Sequence, residues 1–402
     1  MSFSLPSRLA GITHASDLRA EIEHAVLEIL AQAKIHPPAL VLTGSLARDE
    51  ATFLSLGPRW RLLGDAEFMM FSARRRELPS PERLRELARR VTARLAGRGM
   101  DAKIEISAAT VRYLNRMPPC QFGFELRRHG RVLLGQPRLL QCIPRFSRRQ
   151  LPADDAYRLL CNRLVELLAY PGLIAGQRAA HPRAAYALLK LQLDMATSYL
   201  IFLGEYASTY QRRAERLLHL STSPGVDAPW DLRDFARRVE SATVWKLSLH
   251  HLEQPAGPMI SATELIAAAH RLWRWEACRL LGSSTSAGDG DLLRAWARRN
   301  AVPRAWRGWL WVMRSHRPVP ARWHLWLRWL RLSHLGSPRA CVYAAALPLL
   351  FSSVSLPLDQ LETLARWLPQ LTDFPGAAAP APHRLAKEVL WNYHRFLAPT
   401  RH

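Results

Sequence analysis

Two carboxylates two residues apart, Asp65 and Glu67, stand in the run Gly64-Asp65-Ala66-Glu67-Phe68-Met69-Met70-Phe71. Alternate side chains of a strand point to opposite faces, so these acids share one face while Ala66 and Phe68 take the other. Neighbouring carboxylates repel unless a cation lies between them, and a hard divalent ion suits their oxygens. Upstream, Leu42-Thr43-Gly44-Ser45-Leu46-Ala47-Arg48 reads as a buried strand running into a Gly-Ser turn and the start of a helix. Taken singly, each piece is ordinary: a turn, an exposed strand face. Their order along the chain is what points to chemistry.

The surrounding elements follow from periodicity. Ile22, Ala25, Val26, Ile29 and Leu30 recur at helical spacing within residues 17–35, with Asp17 as cap and His36-Pro37-Pro38 as the stop. Ala39 to Thr43 is a short apolar strand. After a connection containing Gly57-Pro58 comes the strand Asp65 to Phe71, then a helix from about Ser80 to Leu95, stopped by Gly97 and Gly99. Ala102 to Ser107 is a third strand, with Ile104 and Ile106 toward the core and Lys103, Glu105 and Ser107 on the opposite face. Phe122–Arg127 and Arg131–Gly135 flank Arg128-His129-Gly130 and predict a hairpin that closes a small mixed sheet near Pro144. From Pro152 strand signals stop. Helical runs follow at roughly 153–170, 182–203, 207–220, 229–252 and 261–281. The Gly- and Ser-rich stretch 282–290 reads as a linker, and residues 374–382 as another loose stretch. The fold class is therefore α+β, a mixed sheet with helices followed by an all-helical C-terminal region, in three parts: 1–148, 149–283 and 290–402.

Composition narrows the partners. The chain of 402 residues carries a formal net charge of +23, yet only five of its 56 basic residues are lysines (Lys34, Lys103, Lys190, Lys246 and Lys387). The arginine skew reflects base composition in part, so the charge favours anionic partners without choosing among nucleotide, nucleic acid and acidic lipid. Five scattered cysteines have no metal-ligand spacing, and the N-terminus has no signal pattern, which predicts a reducing cytoplasm. Ala340 to Leu358 runs 19 residues without a charge but contains Pro348 and Pro357, so a buried helix ending in a loop is expected there. No zinc, serine-hydrolase, kinase or P-loop spacing is present.

The Gly44-Ser45 turn, the Asp65-x-Glu67 strand, the single acid Glu105 on a later strand and the helical region beyond resemble the nucleotidyltransferase superfamily. That superfamily includes DNA polymerase beta and the aminoglycoside nucleotidyltransferases. The resemblance covers about residues 20–145, and 152–220 more loosely. Nineteen residues separate Ser45 from Asp65, more than the family's usual spacing, and an insertion over Phe53–Trp60 accounts for them. The resemblance implies a nucleotidyltransferase-type catalytic domain over 1–148, with a helical domain over 149–283 completing the nucleotide site. Asp65, Glu67 and Glu105 would then hold a two-ion magnesium site, with Glu105 a ligand or the base for the acceptor. Gly44, Ser45, Arg48, Lys190 and Tyr206 would meet the nucleoside triphosphate. The reaction would move a nucleoside monophosphate to a hydroxyl of a small-molecule or saccharide-type acceptor and release pyrophosphate. Two alternatives stay open: a catalytically silent nucleotidyltransferase-like binding module, and an RNA-directed transferase.

The last third is the other outlier. Thirteen of fourteen tryptophans lie beyond residue 229, and from Ala321 to His334 a polar stripe of His324, Arg328 and Arg331 faces a Leu- and Trp-rich remainder. A helix packed on a core is the expected reading, with peripheral membrane contact or a nucleic-acid platform as the functional ones.

Overall fold

The computed structural model describes residues 14–174, 182–248, 250–251, 261–299, 304–315, 323–352, 356–370 and 381–397. Two compact units share the chain. The first comprises Met1–Pro152, Leu203–Pro224 and Arg233–Pro258; the second comprises Ala153–Phe202, Gly225–Leu232 and Met259–His402. By compactness the chain thus divides into two interleaved units, where composition predicts three consecutive parts. Both sides of the expected linker at 282–290 belong to the second unit. The other expected loose stretch, 374–382, lies outside the described residues up to 380.

The first unit opens with α1 (Ala15–Gln32), β1 (Ala39–Thr43), α2 (Gly44–Ala47), β2 (Phe53–Leu56) and β3 (Arg59–Ser72). It continues with α3 (Pro81–Gly97), β4 (Met100–Thr110), α4 (Val111–Asn115), α5 (Gln121–His129) and β5 (Arg131–Leu134). Strand order is β5-β1-β3-β2, with β4 along the other edge of β3. β1 runs antiparallel to β3, pairing Thr43 with Glu67, and β4 runs parallel to β3, pairing Asp65 with Lys103 and Glu67 with Glu105. The long connection after Ser45 is β2 hairpinned onto the start of β3 about Gly57-Pro58, pairing Phe53 with Leu62 and Leu56 with Arg59. It extends the acid-bearing strand backwards and leaves the acids in place.

Alternation gives the sheet two apolar faces. Leu40, Leu42, Ala66, Phe68, Met70 and Ile104 pack with the α1 and α3 residues Ile22, Val26, Leu87 and Val91. Ala39, Val41, Met69 and Phe71 pack with Leu114 of α4, Leu126 of α5, Leu140 and Ile143. Asp65 and Glu67 continue the odd-numbered face of β3 beyond that second core, which is why strand geometry leaves them in contact with solvent.

One expectation is corrected. Phe122–Arg127 is not a hairpin strand but lies in α5, N-capped by Cys120, whose sulfur accepts from Gly123 N–H at 3.3 Å. The apolar residues Phe124 and Leu126 are buried in the helix, and Arg127 donates to the carbonyls of Leu140 and Gln141 at 3.3 and 2.6 Å. β5 pairs with β1 instead.

The remaining elements are α6 (Ala153–Leu167), α7 (Pro171–Ile174), α8 (Pro182–Phe202), α9 (Tyr210–Ser221), α10 (Leu232–Leu247) and β6 (His250–His251). After them come α11 (Ala262–Leu281), α12 (Asp289–Arg299), α13 (Arg304–Ser315), α14 (Trp323–Ser333), α15 (Pro338–Phe351), α16 (Leu358–Trp367) and α17 (Pro382–Asn392). α9, most of α10 and β6 belong to the first unit, where β6 adds a strand parallel to β2. The second unit is all helical among its described residues. In it the apolar stretch after Ala340 forms the buried α15, with Pro348 inside the helix and its end at Phe351. Among the described residues no helix is long and apolar enough to cross a membrane. The fold class is α+β with a helical C-terminal region.

Candidate active site

The three predicted acids occupy one patch of the sheet. Asp65 and Glu67 lie two apart on β3, and Glu105 is the register partner of Glu67 on β4. A residue that sequence reasoning left aside sits among them: the Lys103 ammonium lies 3.2 Å from Asp65 Oδ2 and 2.6 Å from Glu105 Oε1. Burial works against its charge, but the two carboxylates outweigh that and hold the ammonium above its ordinary range. Glu67 is engaged differently, its Oε2 accepting from the Thr43 hydroxyl at 3.3 Å.

Gly44 shapes the other side of Glu67. Its φ is +70°, and a Cβ there would come within 2.8 Å of Glu67 Oε2. Left-handed backbone and close approach both require glycine at this position. Beyond it α2 lasts a single turn, so its amides form no extended helix terminus for a triphosphate. Among the described residues no three His, Cys, Asp or Glu side chains are grouped to hold a metal ion.

Arg48 and Tyr206, expected on the nucleotide, are committed elsewhere. The Arg48 side chain is 6% exposed; its Nε donates to Glu50 at 2.7 Å and its Nη1 to Glu125. Arg213 donates to Glu125 at 2.7 Å and to the Tyr206 oxygen at 2.6 Å, while the Tyr206 hydroxyl donates to Glu125. Burial alone would raise the Glu125 carboxyl, but Arg48 and Arg213 overcome it and keep the group below the usual carboxylate range. Burial pushes the Tyr206 phenol well above its ordinary value. Glu50 in turn accepts the Tyr210 N–H at 2.6 Å, and the fully buried Lys246 donates to the Glu50 carbonyl and, at 2.8 Å, to Thr52 Oγ1. Lys190, the lysine chosen from the sequence for the triphosphate, lies on α8 in the second unit beside Asp194 at 3.7 Å. Asp194 also accepts from Arg163 at 2.7 Å.

A pocket of about 580 Å³ opens on the far side of this network. Phe124 and Tyr206 form its aromatic wall, their rings 5.5 Å apart and edge-on. Arg128, Arg148, Arg212 and Arg216 line it with Glu205 and Glu215. Glu205 pairs with Arg148 at 3.1 Å and Arg216 at 2.6 Å, and the Arg128 guanidinium stacks 3.4 Å over the Phe124 ring centre.

No family model, no curated protein and no solved structure matches the chain. Function therefore rests on the residues themselves. Of those, Lys103 was legible as a neighbour of Glu105 on one strand face. Glu125 and Arg213 carried no such signal, because Glu125 meets Arg48 across 77 residues and Arg213 across 88.

Proposed function

We propose that the chain is a magnesium-dependent nucleotidyltransferase whose reacting centre is the Asp65, Glu67 and Glu105 patch. The single observation behind this reading is that Asp65 and Glu105 converge on a cation, the Lys103 ammonium, on the sheet face next to the Gly44 turn. Asp65 and Glu105 are two carboxylates that a hard divalent ion would take in place of the ammonium, with phosphate oxygens and waters completing its shell. When bound, magnesium would offset the charge that builds on the phosphate oxygens as pyrophosphate departs.

The chain's own groups would do the remaining work. Thr43 holds Glu67 in place through its hydroxyl, and Gly44, having no Cβ, lets that carboxylate lie against the turn. Lys103, released from the acids, would be a mobile cation at the patch edge. The Arg48–Glu125–Tyr206 network fixes the turn against α5, and Tyr206 of that network also walls the 580 Å³ pocket with Phe124. Its aromatic faces and paired charges suit a polar, ring-containing acceptor of the saccharide type. The nucleoside triphosphate is the donor in this reading, and the α+β arrangement of β1, β3 and β4 agrees with a nucleotidyltransferase-type fold.

The same Lys103 bridge favours a second reading, a nucleotidyltransferase-like binding module in which the ammonium permanently replaces the metal. Pyrophosphate release from a panel of nucleoside triphosphates, with magnesium and saccharide acceptors, separates the two. The enzyme reading expects release that drops by about 10²-fold or more in Asp65→Ala, the scale of losing an electrostatic catalytic group. Binding of triphosphate with no release under any condition, unchanged by Asp65→Ala, sinks it.

A further inference from the structure

The longest acid-free reach of the chain lies far from the carboxylate patch in sequence. From Leu292 to Leu358, 67 residues contain 11 arginines and neither Asp nor Glu; all 33 acids are in the other 335 residues. A base-composition skew explains abundant arginine but not missing acids. The second unit therefore carries a stretch whose positive charge has no carboxylate within it as a counterpart.

The same stretch is apolar on the outside. On α14, Leu325, Trp329 and Leu332 are buried, with Trp329 Nε1 donating to the Pro369 carbonyl at 3.0 Å. Trp326, Leu330 and Leu327, from about a quarter to nearly half a turn away, are 44–53% exposed. α13 repeats the pattern: Ala305, Trp309 and Val312 are buried, Trp309 Nε1 donates to the Gly336 carbonyl at 2.8 Å, and Trp306 is 57% exposed. Arg307 and Arg331 are exposed beside these residues. Of the expected polar stripe on α14, Arg328 proves structural, donating at 2.8 Å to the carbonyls of Leu368 and Ala365. Among the described residues nine large hydrophobic side chains are exposed, and five of them (Trp306, Trp326, Leu327, Leu330 and Leu335) fall in this short reach.

Inward tryptophans with satisfied N–H groups explain the core. The outward ones leave about half of each apolar side chain open to solvent. Exposed Trp and Leu flanked by arginine, on helices that carry no acid of their own, is the chemistry of a surface that lies on anionic lipid: the rings and aliphatic chains enter the headgroup boundary while guanidiniums meet phosphate. A second copy of the chain fits poorly, because two such faces bring arginine against arginine. Nucleic acid would use the arginines and leave Leu327 and Leu330 without a role. We propose that the α13–α14 face docks the protein peripherally on an anionic bilayer surface.

Flotation of the full chain with phosphatidylcholine vesicles, with and without phosphatidylglycerol, tests this. The expected result is recovery with the anionic vesicles about tenfold or more above that with neutral ones, falling as salt rises. A blue shift of tryptophan fluorescence should accompany it. Two independent doubles, Trp326→Ser with Leu330→Ser and Arg307→Glu with Arg331→Glu, each replace exposed side chains and should each reduce recovery by about tenfold. Unchanged far-ultraviolet circular dichroism guards the comparison. Equal recovery on both vesicle types, or none, overturns the proposal, as does flotation unaffected by either double. So does association of copies, or retention of a single-stranded RNA, in the absence of vesicle binding.

Discussion

Glu125→Gln is the most informative single change in the first unit. Glu125 accepts from Arg48, Arg213 and Tyr206, and Glu50 pairs with Arg48, so two arginines and two carboxylates meet around Tyr206, with the buried Lys246 ammonium on the Glu50 carbonyl. The substitution nearly preserves shape but leaves a buried positive charge uncompensated. Breaking a buried pair costs about 3–5 kcal/mol, and the 15% exposure of the Glu125 side chain reduces that to about 2–4 kcal/mol. Adding Arg213→Met removes the charge that Glu125→Gln leaves unpaired, because Arg48 keeps Glu50 as a partner. The double variant should then lose less than the sum of the singles, with a coupling energy of about 1–3 kcal/mol. Some cost persists because Arg213 also donates to the carbonyls of Ala207 and Ser208, at 2.7 and 3.2 Å. Urea unfolding of the four proteins supplies the cycle. The sign of the pH effect is fixed too: the depressed carboxyl contributes fully above its ordinary value of 4.5 and loses that contribution as pH falls through its lower folded value. Additive losses to within about 0.5 kcal/mol would refute the view that this cluster acts as one charge-balanced unit.

Two further outcomes are expected. Gly44→Ala combines a left-handed alanine with a Cβ 2.8 Å from Glu67 Oε2; it should destabilise by about 1–3 kcal/mol and weaken magnesium binding by calorimetry, with partial rescue by Glu67→Asp. In the second unit Glu276 is fully buried, accepts from Ser198 Oγ at 2.5 Å, and its Oε2 has no hydrogen-bond partner among the described residues. Burial pushes its carboxyl up to about 8, so the folded protein holds this proton while the unfolded chain releases it. Stability should fall with rising pH between about 4.5 and 8, by at most about 1.4 kcal/mol per pH unit from this group, and Glu276→Gln should remove that slope. Parallel pH profiles for the two proteins would count against a buried neutral Glu276.

Much of the first unit was legible because its strands and helices bury one clear period each. Ile104 and Ile106 against Lys103 and Glu105, or Ile22 through Leu30 on α1, can be read without knowing any neighbour. α5 misled because Phe122, Phe124 and Leu126 alternate with Gly123, Glu125 and Arg127, which imitates a strand; the helix-end signal of Arg127-Arg128-His129-Gly130 was the better guide. The acids of the candidate site share one face by strand arithmetic alone. What no local pattern carries is which charges neutralise one another. Arg48 looked like a phosphate ligand because its partner Glu125 is remote in sequence, and the burial of Lys246 against Glu50 and Thr52 is likewise a property of the fold. The interleaved units escaped composition for the same reason, since the helices of both units have similar residues.

That interleaving has a consequence for how the molecule is made. Arg48, Glu50 and Glu125 leave the ribosome early, but Arg213 follows Glu125 by 88 residues and Lys246 follows Glu50 by 196. Between them the chain must first produce α6, α7 and α8, which belong to the other unit. A nascent chain that has reached only Pro152 therefore displays half of a charge cluster with no closing partners, and the first unit can finish only after part of the second has emerged. Vectorial domain-by-domain folding, the usual protection of a long chain during synthesis, is closed to this topology. The first unit closes only when Leu203–Pro224 and Arg233–Pro258 return to a scaffold begun long before, a closure of distant contacts of the kind that slows folding.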